Sequence, residues 1–217
     1  MTTRTARLAP SKRIGEILKR LKKSYPDAKT TLNYTNAFEL LVATILSAQC
    51  TDERVNLVTK TLFKKYTKPE DYLKVPDEEL QNDIRTTGFF RNKTKSIRGT
   101  SKKLIEVFDG KVPGTMEELL TLPGVARKTA NVVLGNVFKI ADGIVVDTHV
   151  SRLSQRLGLT KNTAAEKIEQ DLMKLIPKDD WIKFSHMIIL HGRYVCKAIK
   201  PECENCVLND LCPSSTA

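Results

Sequence analysis

Lys128 is the residue of this chain whose surroundings best suit it to form a bond to carbon. It follows Leu122-Pro123-Gly124-Val125-Ala126-Arg127 and falls in the first turn of a helix predicted by the apolar positions Ala130, Val133, Leu134 and Val137. The helix macrodipole disfavours a cation at that end, and with partial desolvation this favours the neutral amine, the form that attacks carbon. The alternative is a lysine that contacts phosphate or points to water. A second constellation is Cys196, Cys203, Cys206 and Cys212, spaced C-x6-C-x2-C-x5-C. Four close cysteines in an intracellular chain suit a metal better than two disulfides. Zinc and an iron–sulfur cluster both use four thiolates, and the spacing does not separate them. Cys50 stands apart and reads as a small buried residue.

The elements that must position these groups read as helices. Thr115 and Glu118 have capping-box spacing, which starts a short helix at Met116. Pro123-Gly124 ends it, since proline cannot continue the ladder and glycine can take positive φ. Helix, tight hairpin and helix result, and the amides of the hairpin and of the second helix's first turn suit a phosphate. Elsewhere Ser11–Tyr25 is amphipathic through Ile14, Ile17, Leu18 and Leu21, and Pro26–Tyr34 reads as a linker. Ala37–Ala48 is apolar nearly all round, the pattern of a helix buried on most sides. Thr51 can cap the next helix. Further helices fit Asp77–Thr86, Asn92–Phe108, Met116–Leu122, Arg127–Phe138, Thr148–Leu157, Thr163–Leu175 and Asp179–Gly192. No sustained alternation predicts a sheet, so the expected fold class is all-α.

Net charge is +11 over 217 residues. Arg4, Arg7, Lys12, Arg13, Lys19, Arg20, Lys22, Lys23 and Lys29 crowd the N-terminal region against Glu16 and Asp27, and Arg91 to Lys103 is free of acids. Such clusters point to a polyanion, nucleic acid above all, or else to a solvated basic face. Thr2 to Pro10 reads as a disordered basic arm. Met1 to Lys12 lacks the apolar stretch of a signal peptide, and no apolar run approaches the roughly 20 residues of a membrane span. A cytoplasmic protein without membrane association is expected.

Four stretches carry a resemblance. They are Leu46-Ser47-Ala48-Gln49-Cys50-Thr51-Asp52, Leu122 to Ala130, Val146-Asp147-Thr148-His149-Val150, and His191-Gly192-Arg193-Tyr194-Val195-Cys196 leading into the cysteine spacing. From about Ile14 to Cys212 the chain resembles the endonuclease III family of the helix-hairpin-helix glycosylase superfamily, DNA glycosylases with abasic-site (AP) lyase activity. The resemblance implies a six-helix barrel over residues 30–140 and a discontinuous helical domain, 1–29 with 141–217, with a DNA groove between them. It assigns Lys128 as nucleophile and Asp147 as its partner carboxylate, and gives the four cysteines a 4Fe–4S cluster rather than zinc. Without it, Asp147 reads as the N-cap of the Thr148 helix.

The implied reaction is base-excision repair of duplex DNA holding a damaged base, an oxidised pyrimidine first, or an abasic site. Lys128 attacks C1′, the base leaves as a Schiff base forms, and β-elimination cuts 3′ to the site. Gln49 fills the space of the extruded nucleotide and Phe89 wedges the stack. Gly124, Ala126, Arg127, Thr129 and Arg193 belong to the DNA contact. The enzyme is expected to be a monomer at the nucleoid of a bacterium or archaeon. The hairpin usually reads Gly-Val-Gly, whereas here Ala126 adds a methyl beside the approach to phosphate; the hairpin is expected to survive it, and tight DNA affinity is what it puts in doubt. The adenine–mismatch branch would need a general-acid glutamate between Val42 and Ala48, and none is there. A non-catalytic DNA-binding hairpin would need neither Lys128 nor Asp147, and a redox sensor built on the cluster has no use for that pair.

Overall fold

The computed structural model describes residues 8–217. Its helices are α1 (Pro10–Ser24), α2 (Ala37–Leu46), α3 (Asp52–Lys65), α4 (Pro69–Lys74), α5 (Asp77–Ile84) and α6 (Phe90–Phe108). They continue with α7 (Met116–Leu120), α8 (Arg127–Val133), α9 (Thr148–Arg156), α10 (Ala165–Leu175) and α11 (Trp181–Tyr194). No strand occurs among the described residues, so the all-α expectation is borne out. No helix among them is long and apolar enough to cross a membrane. The basic arm expected over residues 2–10 lies, as far as residue 7, outside the described residues. Pro10 already opens α1, where its missing N–H costs no helical hydrogen bond.

Thr31–Ile140 forms one compact unit, and the N-terminal residues up to Thr30 join Ala141–Ala217 in another. In the first, α2 is buried along almost its whole length, from Phe38 to Leu46, as its all-round apolar pattern requires. Leu80 and Ile84 of α5, Ile97 and Leu104 of α6, Leu119 of α7 and Val133 of α8 complete the core around it. Each such side chain contributes about 1.5–3 kcal/mol by leaving water. In the second unit Ile14, Ile17, Leu18 and Leu21 of α1 pack with Val150 and Leu153 of α9, Ile168 and Leu172 of α10, and Phe184 and Ile188 of α11. Arg13 is buried there and donates to the carbonyls of Leu157, at 2.9 Å, and Leu211, so α1 is tied to the C-terminal segment.

Three elements differ from expectation for local reasons. Helix α4 is too short to show periodicity, and is fixed by Pro69 at its start and by Asp71 Oδ2 accepting from the amides of Thr67 and Lys68. The helix of Lys128 ends at Val133 rather than Phe138 and passes into a π-helical turn over Leu134–Phe138. There the Asn136 amide donates to Val132 O at 2.8 Å, a side-chain bond that competes with the ladder. The last helix is preceded by a 3-10 turn, Lys178–Asp180, and begins at Trp181, whose indole N–H donates to Ile176 O at 2.9 Å.

Candidate functional site

The hairpin is held from both sides. Thr115 caps α7, its hydroxyl accepting from Glu118 N at 3.3 Å and donating to Glu118 Oε2 at 2.7 Å. Gly124 sits at φ +78°, and a Cβ there would meet Ser96 Cβ at 2.5 Å and Ser96 Oγ at 2.6 Å. Below the hairpin, Thr100 Oγ1 donates to Pro123 O at 2.7 Å and Lys103 Nζ to Thr121 O at 2.9 Å. Gly99 lets the ring of Pro123 approach, since a Cβ there would stand 3.0 Å from it. One stripe of α6, Ser96-Gly99-Thr100-Lys103, is therefore the support on which the hairpin rests. Sequence reading missed it, because the stripe is polar and nothing local says what it touches.

Ala126 lies in extended backbone, φ −96° and ψ 170°, which any residue adopts. The methyl that departs from the usual glycine thus imposes no strain. Ala126 precedes α8, and no side chain caps its N-terminus. Arg127, Lys128 and Thr129 form the first turn, with Lys128 exposed and the other two half-buried. The protein itself does not desolvate Lys128, contrary to part of the expectation; a bound substrate would have to. Val125 and Ala130 are buried and anchor the turn from beneath.

Gln49 and Phe89 share an unusual conformation. Both are left-handed, at φ +53° and +46°. Such residues cost about 1–3 kcal/mol each and cluster at functional sites. Phe89 is 61% exposed, a large apolar side chain standing in solvent. Next to it, Phe90 is flanked by the guanidinium groups of Arg85 and Arg91, each about 5.5 Å from its ring. Cationic and apolar groups are thus interleaved on one loop, a pairing suited to phosphates and bases together.

Asp147, in the other unit, is the N-cap of α9: its Oδ1 accepts from Val150 N at 2.8 Å. The cap uses one oxygen of a half-buried carboxylate. His149 is held below the ordinary imidazole range, by burial first, and its Nδ1 lies 3.2 Å from Arg152 Nη2. The same Arg152 nitrogen donates to Gly192 O and Cys196 O, each at 3.0 Å, tying α9 to the end of α11, where Arg193 lies half-buried. His191 is packed rather than catalytic. It is 2% exposed, meets the Tyr25 hydroxyl at 2.9 Å through Nδ1, and is pushed down to about 4 by burial.

Cys196, Cys203, Cys206 and Cys212 line one cavity of about 170 Å³, with Leu153, Leu157 and Val195 among its apolar walls. None of the five cysteines is in a disulfide. Burial pushes the Cys206 thiol up to about 11 and raises Cys212 as well, while hydrogen bonding from Thr216 lowers Cys203. Buried thiols that resist ionisation alone become good ligands once a cationic centre compensates their charge. N–H donors already face the sulfurs: Arg156 Nη1 lies 3.3 Å from Cys196 Sγ and Leu208 N 3.4 Å from Cys206 Sγ. Among the described residues no three His, Cys, Asp or Glu side chains are gathered to hold a single metal ion. Four thiolates around a cavity of this size can hold a multi-atom cluster.

Residues 42–178 match the HhH-GPD superfamily of base excision DNA repair proteins, and residues 196–212 match the iron–sulfur binding domain of endonuclease III. Endonuclease III of Synechocystis sp. is 60% identical over 94% of this chain and 94% of its own length. That of Bacillus subtilis is 50% identical over 93% of this chain and 92% of its own. A solved structure of a trapped endonuclease III–DNA covalent intermediate superposes with a TM-score of 0.92 at 46% identity, covering 96% of this chain and 98% of that one. The cofactor is accordingly a 4Fe–4S cluster. The chain belongs to the endonuclease III family, DNA glycosylases with AP lyase activity that act in base excision repair.

Proposed function

We propose that this enzyme removes oxidised pyrimidines from duplex DNA through a Schiff base on Lys128 and then cuts 3′ to the abasic site. The observation that carries the reading is the placement of Lys128. It is an exposed amine in the first turn of a helix with no side-chain cap, directly after a hairpin that Gly124 and α6 hold open. The amides around Gly124, Ala126, Arg127 and Thr129 take a backbone phosphate, and Arg193 makes a DNA contact of its own. That grip brings a sugar to the amine without reading sequence. The resemblance to a trapped DNA complex supports it.

A damaged base stacked in a duplex is out of reach, so it is extruded at a cost of a few kcal/mol, least where stacking is already impaired. Gln49 fills the vacated space and Phe89 wedges the stack. Lys128 Nζ forms a bond to C1′ as the C1′–N bond to the base breaks; the amine gives up a proton and the base takes one. Cleavage of C1′–O4′ with a proton to O4′ then opens the sugar to an iminium. The resulting iminium acidifies C2′; loss of that proton expels the 3′ phosphate. Asp147 stabilises positive charge at C1′ and shuttles the proton of the amine. Cys196, Cys203, Cys206 and Cys212 hold the cluster, which supplies a structural centre for the basic loop of Lys197 and Lys200. The 30–140 unit is the barrel that carries the nucleophile, and the protein acts as a monomer on double-stranded DNA.

A panel of duplexes, each with one lesion, tests the substrate class by base release. Thymine glycol and related oxidised pyrimidines are expected to be released and the strand nicked 3′ to the site. Release of alkylated purines or mismatched bases, with oxidised pyrimidines untouched, would overturn the assignment.

A further inference from the structure

Lys93 is a lysine at 4% exposure within the unit of α2 to α8. It lies in the first turn of α6, the helix that starts directly after Phe89. Its Nζ donates to Leu46 O at 2.7 Å and to Thr87 O at 2.8 Å, and its own amide donates to Phe89 O at 3.0 Å. Leu46 is the last residue of α2, just before the turn that carries Gln49. Thr87 ends a 3-10 turn, Arg85–Thr87, just before Gly88 and Phe89. One side chain therefore grips the two segments that bear the left-handed residues Gln49 and Phe89.

The placement has a clear electrostatic logic. Both carbonyls are at the C-terminal ends of helical turns, where the backbone dipoles favour a cation. Burying an ammonium is costly, and an apolar side chain would fill the same space without that cost. What an apolar side chain cannot do is join the two carbonyls. Without the joint, the turns of Gln49 and Phe89 lose a shared anchor, and each is freer to relax from its strained conformation.

We propose that Lys93 is a positioning residue that fastens the Gln49 and Phe89 turns into one rigid wedge, so that both side chains enter the duplex together. This rests on the wedge reading of those two residues given above. The test is a mutant cycle on the cluster-loaded protein binding a duplex with a tetrahydrofuran abasic analogue opposite 2-aminopurine. Affinity and the fluorescence of the unstacked 2-aminopurine are both read, and neither depends on which lesion is the substrate. Lys93→Met is expected to weaken binding roughly tenfold and to reduce the fluorescence at saturation, in keeping with two lost bonds from a charged donor. In the Gln49→Ala/Phe89→Ala background the same change is expected to add nothing, because there is no wedge left to position.

An equal further loss in that background, or no loss in the native one, overturns the inference while leaving the wedge reading intact. No loss from Gln49→Ala/Phe89→Ala itself overturns both. If Lys93→Met does not fold by circular dichroism, Lys93→Arg takes its place in the cycle, its larger fork displacing one of the carbonyls. A loss that vanishes in the double variant supports the inference; an additive loss, or none, overturns it.

Discussion

Gly124→Ala puts a methyl where the hairpin has no room for one. The left-handed backbone at φ +78° costs an L-residue about 1–2 kcal/mol. The new Cβ would lie 2.6 Å from Ser96 Oγ, which can rotate, and 2.5 Å from Ser96 Cβ, which is fixed to the backbone of α6 and cannot. Forced overpacking of this kind costs ~1–3 kcal/mol. Together the two effects come to about 2–5 kcal/mol, a large share of the ~5–15 kcal/mol that holds a domain folded. A melting point lowered by ~2–4 °C for each kcal/mol follows for a chain of this size. Ser96→Gly separates the contributions. With Cβ and Oγ gone, the nearest Ser96 atom to the new methyl is Cα at 3.6 Å, an ordinary contact. The double variant should recover the steric part, keep the positive-φ part, and carry the ~1 kcal/mol of a glycine within α6. Urea unfolding followed by circular dichroism measures all three proteins, and equilibrium binding to abasic-analogue duplex reports the phosphate grip. An unchanged urea midpoint for Gly124→Ala, or no recovery with Ser96→Gly, would refute the steric reasoning.

Asp147→Asn keeps an acceptor for Val150 N and removes the charge, so single-turnover base release is expected to fall by ~10²–10⁴ with little change in melting point. Asp147→Ala should lose the cap as well, at about 1 kcal/mol, and equal activity in aspartate and asparagine forms would reduce the residue to a cap. Asp171 accepts from Thr160 Oγ1 at 2.5 Å and Asn162 Nδ2 at 2.7 Å, and these bonds hold its carboxyl below the usual range. Their stability is complete above the unfolded carboxylate pKa and is lost as pH falls through the lowered folded value. Unfolding midpoints taken across the acid range should therefore fall less steeply for Asp171→Asn, and an unchanged slope would count against the assignment.

What was legible in the sequence was local. Pro123-Gly124 names its own turn, Thr115 and Glu118 name the start of α7, and the cysteine spacing survives any rearrangement of the chain between its members. The all-round apolar run of α2 announced burial without saying against what. Contacts across sequence were not legible. Ser96 and Gly99 read as two small residues of an exposed basic helix, yet they set how close the hairpin can come. Lys93 has the same disguise: a lysine in an acid-free run reads as solvated until its two carbonyl partners, one of them in α2, are seen. The π-helical turn after Val133 was hidden because its apolar stripe continues through Val137 and gives no sign that the ladder has changed step. Gln49 and Phe89 came from the resemblance, and only the backbone shows that both are left-handed.

The proposed mechanism requires a covalent bond between Lys128 Nζ and deoxyribose C1′. Sodium borohydride added to the protein with abasic duplex DNA reduces such an imine to a stable amine and joins the two molecules. The native protein is expected to migrate as a DNA adduct, and Lys128→Gln, folded to the same melting point and still binding the duplex, is expected to give none and to leave the strand uncut. Adduct and nicking at native rates in Lys128→Gln would contradict a Schiff base on this lysine.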